Sequence, residues 1–465
     1  MALNSYDLAV IGGGPGVDVS AIRASQLGLK TVVIEKEAPG GVCLNWGCIP
    51  TKALLKNAEL VLTMRHGEDY GIFCDNLRFD MSKAVQRSRK AANTLASCIK
   101  FLLKKNKIDI VSGEGCLDSA NTIQVTNKTG EIQKIVSQAI IIATGSRSKR
   151  IPTVPVDGNQ IITSTEAMLI EKPPETITII GGGAIGVEFA YYFAAYGTKV
   201  TIVEMLPNLL PVEDLETSQM LEKSFSALDI QIKTNARVES AKSNSEGTSV
   251  IIEVNGQLET LKAELTLLAI GRDGNIEDVG LEKIGIETDR GFITVDEKCQ
   301  TSVPDIYAIG DVTGPPLLAH KASAEGINLA ERLAGHMSPG IDKTNIPSCT
   351  YCQPQVASLG LSEKEAVDQG YDVKIGVFPL SANGKALATE HRNGFVKIVS
   401  DSEIGDILGV HMIGHEVTEL ISHIAMTKLL EGTTQELGWL IHPHPTISET
   451  IKEAALATEK QAIHI

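Results

Sequence analysis

The stretches DLAVIGGGPG (residues 7–16) and TITIIGGGAIG (residues 176–186) decide the fold, because they are two copies of one pattern. In each copy an apolar run of the kind found in buried strands ends in a glycine-rich turn. The first glycines of the two turns, Gly12 and Gly181, lie 169 positions apart. The chain therefore contains an internal repeat, and the repeat sets its architecture.

Each copy continues through an amphipathic segment into a second apolar run that ends in an acid, KTVVIEK with Glu35 and KVTIVEM with Glu204. The two acids are again 169 positions apart. Strand, glycine turn, helix, strand and acid form the βαβ unit that binds dinucleotides. The glycines let the backbone approach a pyrophosphate, the helix N-terminus attracts its charge, and the acid accepts hydrogen bonds from ribose hydroxyls. Two copies, each with its strand before and its acid after, predict two nucleotide sites.

The two copies differ in ways that bear on their ligands. The second has all three glycines, whereas the first has Val17 at the third position, where close packing of helix and strand is needed. We expect Val17 to push the helix outward or to be accommodated by a small neighbour, and Asp18 to add negative charge near the phosphates. No Arg or Lys follows Glu204 in MLPNLLP, so this carboxylate favours the free ribose hydroxyl of NAD over the phosphate of NADP. The glycines of the two turns are Gly12 and Gly14 in the first copy and Gly181, Gly183 and Gly186 in the second.

Length and composition limit the possible functions. The chain has 465 residues, which is long enough for two to four domains, and 43% of them are hydrophobic. A formal net charge of -15 argues against nucleic acid or an anionic membrane as the main partner. No apolar run reaches the roughly 18 residues that a membrane span needs, and MALNSYD leads directly into the first strand without a targeting segment. We therefore expect a cytoplasmic protein.

Further apolar runs end at glycine in AIIIATGSR, LTLLAIGRDGN and IYAIGDV, where loops line a ligand cleft at the carboxyl ends of strands. Asp311, at the tip of the third run, is placed to accept hydrogen bonds from a polyol such as ribitol, although an ordinary turn aspartate is the alternative. A helix is predicted over about 78–106. Cys349 and Cys352 form a lone C-x-x-C that we interpret as structural, and we identify no metal site.

The stretch GGVCLNWGCIPTKALL (residues 40–55) places Cys43 and Cys48 five positions apart at the apparent start of a helix. In a regular helix this spacing leaves side chains about 7.5 Å apart along the axis and on different faces. Either the two cysteines never meet, or the first turn is opened and brings them together. Gly47 supplies the backbone freedom for the second possibility. A close cysteine pair in a reducing compartment is more often catalytic or metal-binding than structural.

Taken together, these motifs resemble the pyridine nucleotide-disulfide oxidoreductases. The resemblance runs nearly from end to end, and the cysteine stretch and HPHPTISE are its most specific parts. It implies an α/β fold with two Rossmann-like domains, for FAD and NAD, and an α+β C-terminal dimerisation domain. The expected domains are an FAD domain (1–146), an inserted NAD domain (147–271), a return segment of the FAD domain (272–344) and an interface domain (345–465). The motifs that carry the resemblance are GGGPG, GGVCLNWGCIPTKALL, ATGS, GGGAIGVEFA, AIGRDGN, AIGDV, LLAHKASAEG and HPHPTISE.

The resemblance also implies a set of cofactor-binding residues, with FAD in the first nucleotide site and NAD in the second. Besides the glycines of the two turns and the acids Glu35 and Glu204, these residues are Lys36, Gly41, Lys52, Gly115, Thr144, Gly145, Ser146, Val238, Gly271, Asp311 and Ala319.

In the family's pattern Cys43 and Cys48 form a redox-active disulfide, in which Cys43 exchanges with the substrate and Cys48 faces the flavin. Lys52 follows Cys48 by four positions, so both share one helix face beside the flavin, and by analogy Lys52 pairs with Glu188. A dithiol substrate needs a base with a pKa near neutrality. The family pattern selects His444 as this base.

Glu449 is the carboxylate that the family pattern assigns to orient His444. A second role competes, because Thr446 and Glu449 form the T-x-x-E capping box of the following helix. We expect that one carboxylate cannot serve both roles fully. His442 receives no chemical role.

The function implied by the resemblance is oxidation of a protein-bound dihydrolipoyl group, with electrons passing through the cysteine pair and FAD to NAD+. The implied partners are a second copy of the chain and either the lipoyl-bearing acyltransferase of a 2-oxoacid dehydrogenase complex or a glycine-cleavage carrier. One alternative is another NAD(P)H-dependent disulfide reductase of the family. A second, from a different class, is a mainly structural flavoprotein subunit.

Overall fold

The computed structural model describes residues 4–465, which contain both strands and helices. The strands are β1 (Asn4–Ile11), β2 (Thr31–Glu35), β3 (Asp109–Ser112), β4 (Glu114–Ser119), β5 (Thr122–Thr126), β6 (Ile132–Ile142), β7 (Ser146–Ser148), β8 (Ile161–Ile162), β9 (Thr176–Ile180), β10 (Lys199–Val203), β11 (Gln231–Lys233), β12 (Ala236–Asn244), β13 (Gly247–Val254), β14 (Gln257–Ala263), β15 (Leu265–Leu268), β16 (Arg272–Gly274), β17 (Thr288–Asp289), β18 (Phe292–Ile293), β19 (Ile306–Ala308), β20 (Ser348–Thr350), β21 (Gln355–Gly360), β22 (Val373–Pro379), β23 (Phe395–Asp401) and β24 (Ile407–Gly414).

The helices divide into long amphipathic ones and short turns that connect strands. The α-helices are α1 (Pro15–Gln26), α2 (Gly41–Trp46), α3 (Cys48–Arg65), α4 (Met81–Lys105), α5 (Ser164–Ala167), α6 (Ala184–Ala195), α7 (Leu215–Ser226), α8 (Leu281–Ile284), α9 (Ala319–Leu333), α10 (Glu363–Asp368), α11 (Gly384–Ala388), α12 (Val417–Leu429), α13 (Thr434–Trp439) and α14 (Glu449–Thr458), and 3-10 turns span Gly67–Tyr70, Gly310–Thr313, Lys343–Asn345 and Leu380–Ala382.

The chain divides into two compact units. The first contains the described residues up to Leu54 together with Ser82–Lys149 and Gly271–Ile341, and the second contains Leu55–Met81, Arg150–Ile270 and Asp342–Ile465. The ranges of the four domains expected from the sequence stay predictions. The predicted helix over 78–106 is confirmed as α4. The start of the MALNSYD stretch, residues 1–3, lies outside the described residues.

The first unit is built on a seven-stranded sheet in the order β3-β2-β1-β6-β5-β4, with β19 pairing to β6. Strands β3, β2, β1, β6 and β19 are parallel, whereas β5 and β4 are antiparallel. Alternate residues of β1 belong to two apolar clusters on opposite faces, Leu8 and Val10 to one and Ala9 and Ile11 to the other. Because both faces are buried, these strands are apolar throughout, as parallel sheets require.

The second unit repeats this pattern with the parallel sheet β11-β10-β9-β15-β8. A hydrogen bond at the glycine turn is shared by the two copies. Gly12 N donates to Ile34 O at 2.8 Å, and Gly181 N donates to Val203 O at 2.8 Å, again with a shift of 169. Helices α1 and α6 have 12 residues each and start at equivalent positions. The internal repeat predicted from the sequence is confirmed.

An antiparallel sheet, β20-β21-β24-β23-β22, forms the C-terminal part of the second unit, and α12, α13 and α14 contribute to its apolar core. Capping boxes define two of the helix starts here. Ser362 and Glu365 cap α10, and Thr433 and Glu436 cap α13. Among residues 4–465 no helix is long and apolar enough to cross a membrane.

Candidate active site

Cys43 and Cys48 form a disulfide, so the two cysteines meet. Cys43 lies in the short helix α2, and Cys48 is the first residue of α3. Gly47 separates the two helices with φ -154° and ψ -114°, which is not a helical conformation. This break brings the two Cα atoms to 4.7 Å, well within the range that a disulfide needs. Of the two possibilities left by the spacing, the opened turn is correct.

The disulfide segment packs directly on the glycine turn of the first copy. Gly40 N donates a hydrogen bond to Gly13 O at 2.6 Å. Gly41 has φ +52°, and a Cβ added there would lie 2.6 Å from the Gly14 Cα. Only glycine permits this close approach of two backbones. The segment that carries the two cysteines is therefore held against the glycine turn of the first predicted nucleotide site.

Arg89 of α4 fixes the other side of the disulfide segment. Its Nη2 donates to Asn45 O at 2.5 Å, and its guanidinium lies 4.7 Å from the centre of the Trp46 ring. Such a stacked arrangement is stabilised by a cation-π interaction. Arg89 was not predicted from the sequence, because no motif links residue 89 to residues 45 and 46.

The first nucleotide site has the shape that a pyrophosphate requires. A Cβ at Gly12 would overlap the Ala143 carbonyl oxygen, whereas a Cβ at Gly14, the N-cap of α1, would meet nothing within 4 Å. The open space lies at a helix N-terminus, which favours a phosphate. Burial raises the pKa of Glu35, and the Glu37 N–H, which donates to Glu35 Oε1 at 2.7 Å, opposes this shift. These residues fit an adenine dinucleotide.

Val17 is accommodated without a clash. Its side chain is buried in an apolar cluster that includes Ala21 and Ala143. At the equivalent position of the second copy, a Cβ on Gly186 would overlap the Gly181 carbonyl oxygen. The first helix therefore has room for a valine that the second lacks. Which of the two expectations for Val17 provides this room stays a prediction.

Asp311 lies in a polar network and is not an isolated turn aspartate. Ser146 Oγ donates to Asp311 Oδ2 at 2.5 Å, while Arg272 Nε donates to Ser146 Oγ at 2.7 Å and Arg272 Nη2 to Ser146 O at 2.6 Å. Burial lowers the pKa of the Arg272 guanidinium, and the Asp311 carboxylate opposes that shift. Arg272 is the arginine of the AIGRDGN motif, so its place in that motif is the sequence signal that could have identified it. The ribitol contact of Asp311 stays a prediction.

A second group of contacts holds the turns around this network. Thr144 Oγ1 donates to Asn275 O at 2.7 Å, and Asn275 Nδ2 donates back to Thr144 O at 2.8 Å. Gly310 N donates to Glu325 Oε2 at 2.8 Å, and Glu325 lies 3.4 Å from Lys321 Nζ. Asn275, Lys321 and Glu325 were not predicted, although all three stand in motifs that carry the family resemblance.

The second nucleotide site is formed by the glycine turn after β9 and by Glu204. Glu204 is buried, with Oε2 accepting from Gly182 N at 2.6 Å and Oε1 from Leu206 N at 2.8 Å. A Cβ at Gly183, the N-cap of α6, would meet nothing within 4 Å. The open helix N-terminus and the fixed carboxylate fit a nicotinamide dinucleotide with a free ribose hydroxyl.

The remaining predicted residues occupy varied places. Lys36 forms an exposed ion pair with Glu114 at 3.0 Å, and Glu188 is buried and accepts from Tyr351 N at 3.0 Å. The predicted pairing of Lys52, in α3, with Glu188 stays a prediction. The others lie in strands, turns or helix starts that border the two nucleotide-binding sheets: Gly115 in β4, Gly145 with φ +74°, Val238 in β12, Gly271 with φ +112° and Ala319 at the start of α9.

Glu449 contacts both of the groups that the sequence suggested. Its Oε1 lies 2.9 Å from His444 Nδ1, and its Oε2 accepts from Thr446 N at 2.9 Å. The capping box itself is incomplete, because Ser448 is the N-cap of α14 and no side chain caps the helix there. Partial burial opposes ionisation of Glu449, but the Thr446 N–H and the His444 ring hold its pKa below the ordinary value. Thr446 Oγ1 donates to Pro443 O instead of capping the helix.

His444 faces outward. Its side chain is 78% exposed, and across the described residues only Nδ1 has a hydrogen-bond partner. Nδ1 donates to the Glu449 carboxylate, so Nε2 carries the lone pair that accepts a proton. His442 differs, because its Nδ1 lies 3.2 Å from Ser448 Oγ and burial lowers its pKa.

The other cysteines and possible ligand clusters add no second redox centre. Cys349 and Cys352 are partly and fully buried and are not paired in a disulfide, and their structural role stays a prediction. Within residues 4–465 no group of three or more His, Cys, Asp or Glu side chains is arranged to hold a metal ion.

The fold and the site define a two-nucleotide disulfide oxidoreductase, and comparisons with known proteins place the chain more narrowly. The model of the pyridine nucleotide-disulphide oxidoreductases matches residues 6–326, and that of their dimerisation domain matches residues 346–455. The protein belongs to this family. It therefore uses FAD and NAD, and its C-terminal part makes it a homodimer.

Curated relatives match over nearly the whole chain. A dihydrolipoyl dehydrogenase of Zymomonas mobilis is 46% identical over 462 residues, and one of Bacillus subtilis is 45% identical over 469 residues; each match covers 99% of both chains. Among solved structures, LpdA from Mycobacterium tuberculosis has a TM-score of 0.90 at 25% identity and covers 97% of this chain and 99% of its own. The HOCl-induced flavoprotein disulfide reductase RclA from Escherichia coli has a TM-score of 0.86 at 25% identity, with the same coverage.

Proposed function

We propose that the protein oxidises a protein-bound dihydrolipoyl dithiol to its disulfide, with NAD+ as the final electron acceptor. The observation that carries this proposal is the Cys43–Cys48 disulfide, which packs against the glycine turn of the first nucleotide site. The full-length relatives named dihydrolipoyl dehydrogenase support the same reaction.

The reaction begins with the transfer of two electrons from the substrate to the cysteine pair. A substrate thiolate attacks Cys43 Sγ, the bond between the two cysteines breaks, and Cys48 leaves as a thiolate. Cys48 is the first residue of α3, where the helix dipole stabilises the negative charge. The second substrate thiolate then displaces Cys43, which closes the substrate disulfide and leaves both cysteines reduced.

His444 takes the proton of the first substrate thiol, and the proton of the second passes to the Cys43 thiolate that this thiol displaces. Its Nε2 accepts the proton, and Glu449 stabilises the imidazolium that results through the contact to Nδ1 at 2.9 Å. Because Glu449 also binds Thr446 N at 2.9 Å, the loop and the start of α14 fix the direction of this carboxylate. Orientation of the ring thus comes from the local fold.

The chemistry that FAD supplies when bound is a two-electron transfer from the cysteine pair to NAD+, which restores the disulfide. Gly12, Gly14 and Glu35 would hold its adenine half. Gly183 and Glu204 would hold NAD, and the Glu204 carboxylate would disfavour the 2′-phosphate of NADP.

The partners and the compartment follow from the same chemistry. We propose that the dithiol arrives on the acyltransferase of a 2-oxoacid dehydrogenase complex or on a glycine-cleavage carrier, in the cytoplasm. A disulfide reductase that runs in the opposite direction is the second candidate, since a structural neighbour is named as one.

The test is dihydrolipoamide-dependent formation of NADH, measured for the wild type, for Cys48→Ser and for the control Cys98→Ser. Cys98 is an exposed free thiol in the first unit, so its loss should leave turnover unchanged. We expect Cys48→Ser to retain the visible absorbance of bound FAD and to lose turnover. Full turnover in Cys48→Ser would contradict the mechanism, and a wild type that turns over only other disulfides would favour the second candidate.

A further inference from the structure

Helix α4 carries a concentration of positive charge, and the proposed chemistry uses none of it. The segment 81–108 holds eight of the chain's 42 Lys and Arg residues and none of its 57 Asp and Glu residues. The whole chain has a formal net charge of -15. A strongly basic helix on an acidic protein is therefore a local feature.

Most of these charges face solvent on one side of the helix. Arg87, Lys90 and Lys104 are separated by three and fourteen positions, and both spacings return to the same helix face. We define the basic face as the exposed residues Arg87, Lys90, Lys100, Lys104 and Lys105. The opposite face of α4 packs into the protein through the buried residues Val85, Ser88, Ala92 and Leu103.

The basic face has no counter-charges of its own. In the part of the chain that the structure describes, none of its five members forms an ion pair, although surface lysines elsewhere do so, as in Lys36 with Glu114 and Lys56 with Glu59. Lys90, Lys100, Lys104 and Lys105 therefore present their full charge to a partner. Segment 81–108 supplies no acid that could neutralise them locally.

The basic face begins at the redox site. Arg87 Nη1 donates to Ala53 O at 3.2 Å, and Arg89 binds Asn45 O, so α4 packs against the segment that holds the two redox cysteines. From Arg87 to Lys105 the helix extends roughly 27 Å, about the width of a small folded domain. A partner that lay along α4 would therefore have one end beside the disulfide.

We propose that the basic face of α4 docks the acidic surface of the domain that carries the dihydrolipoyl group. This inference rests on the proposed function and names the surface by which its protein substrate is recognised. The acidic remainder of the chain repels an acidic domain, whereas α4 attracts it, so the encounter is directed to the helix next to Cys43. Nucleic acid or an anionic membrane is disfavoured, because such an extended polyanion would also meet the acidic remainder.

The proposal is tested with a triple variant, Lys90→Gln with Lys100→Gln and Lys104→Gln, that removes three charges from the basic face. The matched control is Lys128→Gln with Lys262→Gln and Lys298→Gln, which removes the same charge from three exposed lysines outside α4. Steady-state kinetics are measured with a purified acidic lipoylated domain in its reduced form and with free dihydrolipoamide, at low and at moderate salt.

We expect the triple variant to raise the KM for the lipoylated domain about ten-fold at low salt, with a weaker salt dependence. Its kcat/KM for free dihydrolipoamide, which has no acidic surface, should stay within about two-fold of the wild type. The control should match the wild type with both substrates. Replacing the same three lysines by arginine, which keeps the charge, should preserve the low KM.

Several outcomes would overturn the proposal. If the KM of the triple variant for the lipoylated domain equals that of the control, α4 does not dock this domain. The same conclusion follows if the triple variant loses binding to phosphatidylglycerol vesicles while its KM for the domain is unchanged. Equal losses with the domain and with free dihydrolipoamide place the lysines in the catalytic site instead. If the wild type oxidises free dihydrolipoamide, the proposed function stands whatever the variants do; if it does not, that function fails first.

Discussion

Lys397 is the centre of a buried ion cluster whose removal should destabilise the second unit. Its Nζ, in β23, lies 2.8 Å from Glu363 Oε2 and 3.2 Å from both Asp214 Oδ2 and Glu216 Oε2. The side chains of Lys397 and Asp214 are 3% and 5% exposed, whereas those of the two glutamates are 44% and 55% exposed. Burial lowers the pKa of Lys397, but the carboxylates outweigh it and raise the pKa.

The perturbation is Lys397→Met, which keeps the apolar stem and removes the charge. The Asp214 carboxylate is then left buried with one N–H donor, Glu216 N at 3.1 Å. Breaking a buried ion pair in this way costs about 3–5 kcal/mol, while the two half-exposed glutamates turn to solvent and add little. For units of this size each kcal/mol shifts the melting temperature by roughly 2–4 °C, so we expect a fall of roughly 6–20 °C.

The assay is differential scanning calorimetry of three variants loaded with FAD. Lys364→Met is the matched control, since Lys364 pairs with Asp368 at 2.5 Å but both side chains are mostly exposed, so this change should leave the melting temperature almost unchanged. Lys397→Met combined with Asp214→Asn should recover about half of the loss, because the neutral amide still caps α7.

The cluster also has a functional consequence for the second nucleotide site. Asp214 caps α7, Glu222 of α7 accepts from Leu209 N at 2.9 Å, and Leu210 N donates to Gly182 O at 2.8 Å. Asp214→Ala, which removes the cap, should therefore loosen the glycine turn and raise the KM for NAD+. If Lys397→Met melts within about 2 °C of Lys364→Met, the reasoning about the buried charge is refuted.

Three further predictions concern single residues of the two sites. Burial raises the pKa of Asp18 from its ordinary value of 3.8 to about 6, so the folded state binds a proton that the unfolded chain lacks between about pH 4 and pH 6, and stability falls as pH rises through that window. Asp18→Asn should thus stabilise the protein by about 1–3 kcal/mol at pH 7 and have little effect near pH 4, measured by urea denaturation; equal effects at both pH values would contradict this. Gly186→Ala places a methyl group on the Gly181 carbonyl oxygen and should raise the KM for NAD+ about ten-fold or more with FAD content unchanged, whereas an unchanged KM would show that α6 shifts freely. Glu449→Gln can keep only one of its two acceptor contacts and should lower dihydrolipoamide turnover about 10–100-fold, while His442→Gln stays within a few-fold; similar losses in both variants would count against the assigned roles.

Patterns that repeat along the chain predicted much of the fold. The shift of 169 between Gly12 and Gly181 predicted two βαβ units, and the same shift relates their hydrogen bonds. Such units can be predicted from the sequence because the strand, the glycine turn and the helix each depend on residues that are close together along the chain. The helix over 78–106 was equally accessible, because its apolar positions follow one helical period.

Contacts between distant segments could not be predicted in the same way. Arg272 reaches Ser146 across 126 positions, and Lys397 reaches Asp214 across 183. Neither pair leaves a periodic signal, because the partners meet only after separate strands have been placed. Arg272 was visible in its motif, but its role depends on which strand lies beside it.

The amino-acid sequence by itself determined the two nucleotide folds, the preference for NAD and the two residues that could form a redox pair, because each depends on residues close together along the chain. Only the tertiary structure decided whether Cys43 and Cys48 meet, how Glu449 shares its two oxygens and where α4 places its charge relative to the disulfide. Backbone dihedrals at Gly47 set the distance between the two cysteines, and the packing of α4 on residues 45–53 places its charge; neither is encoded in a local sequence pattern.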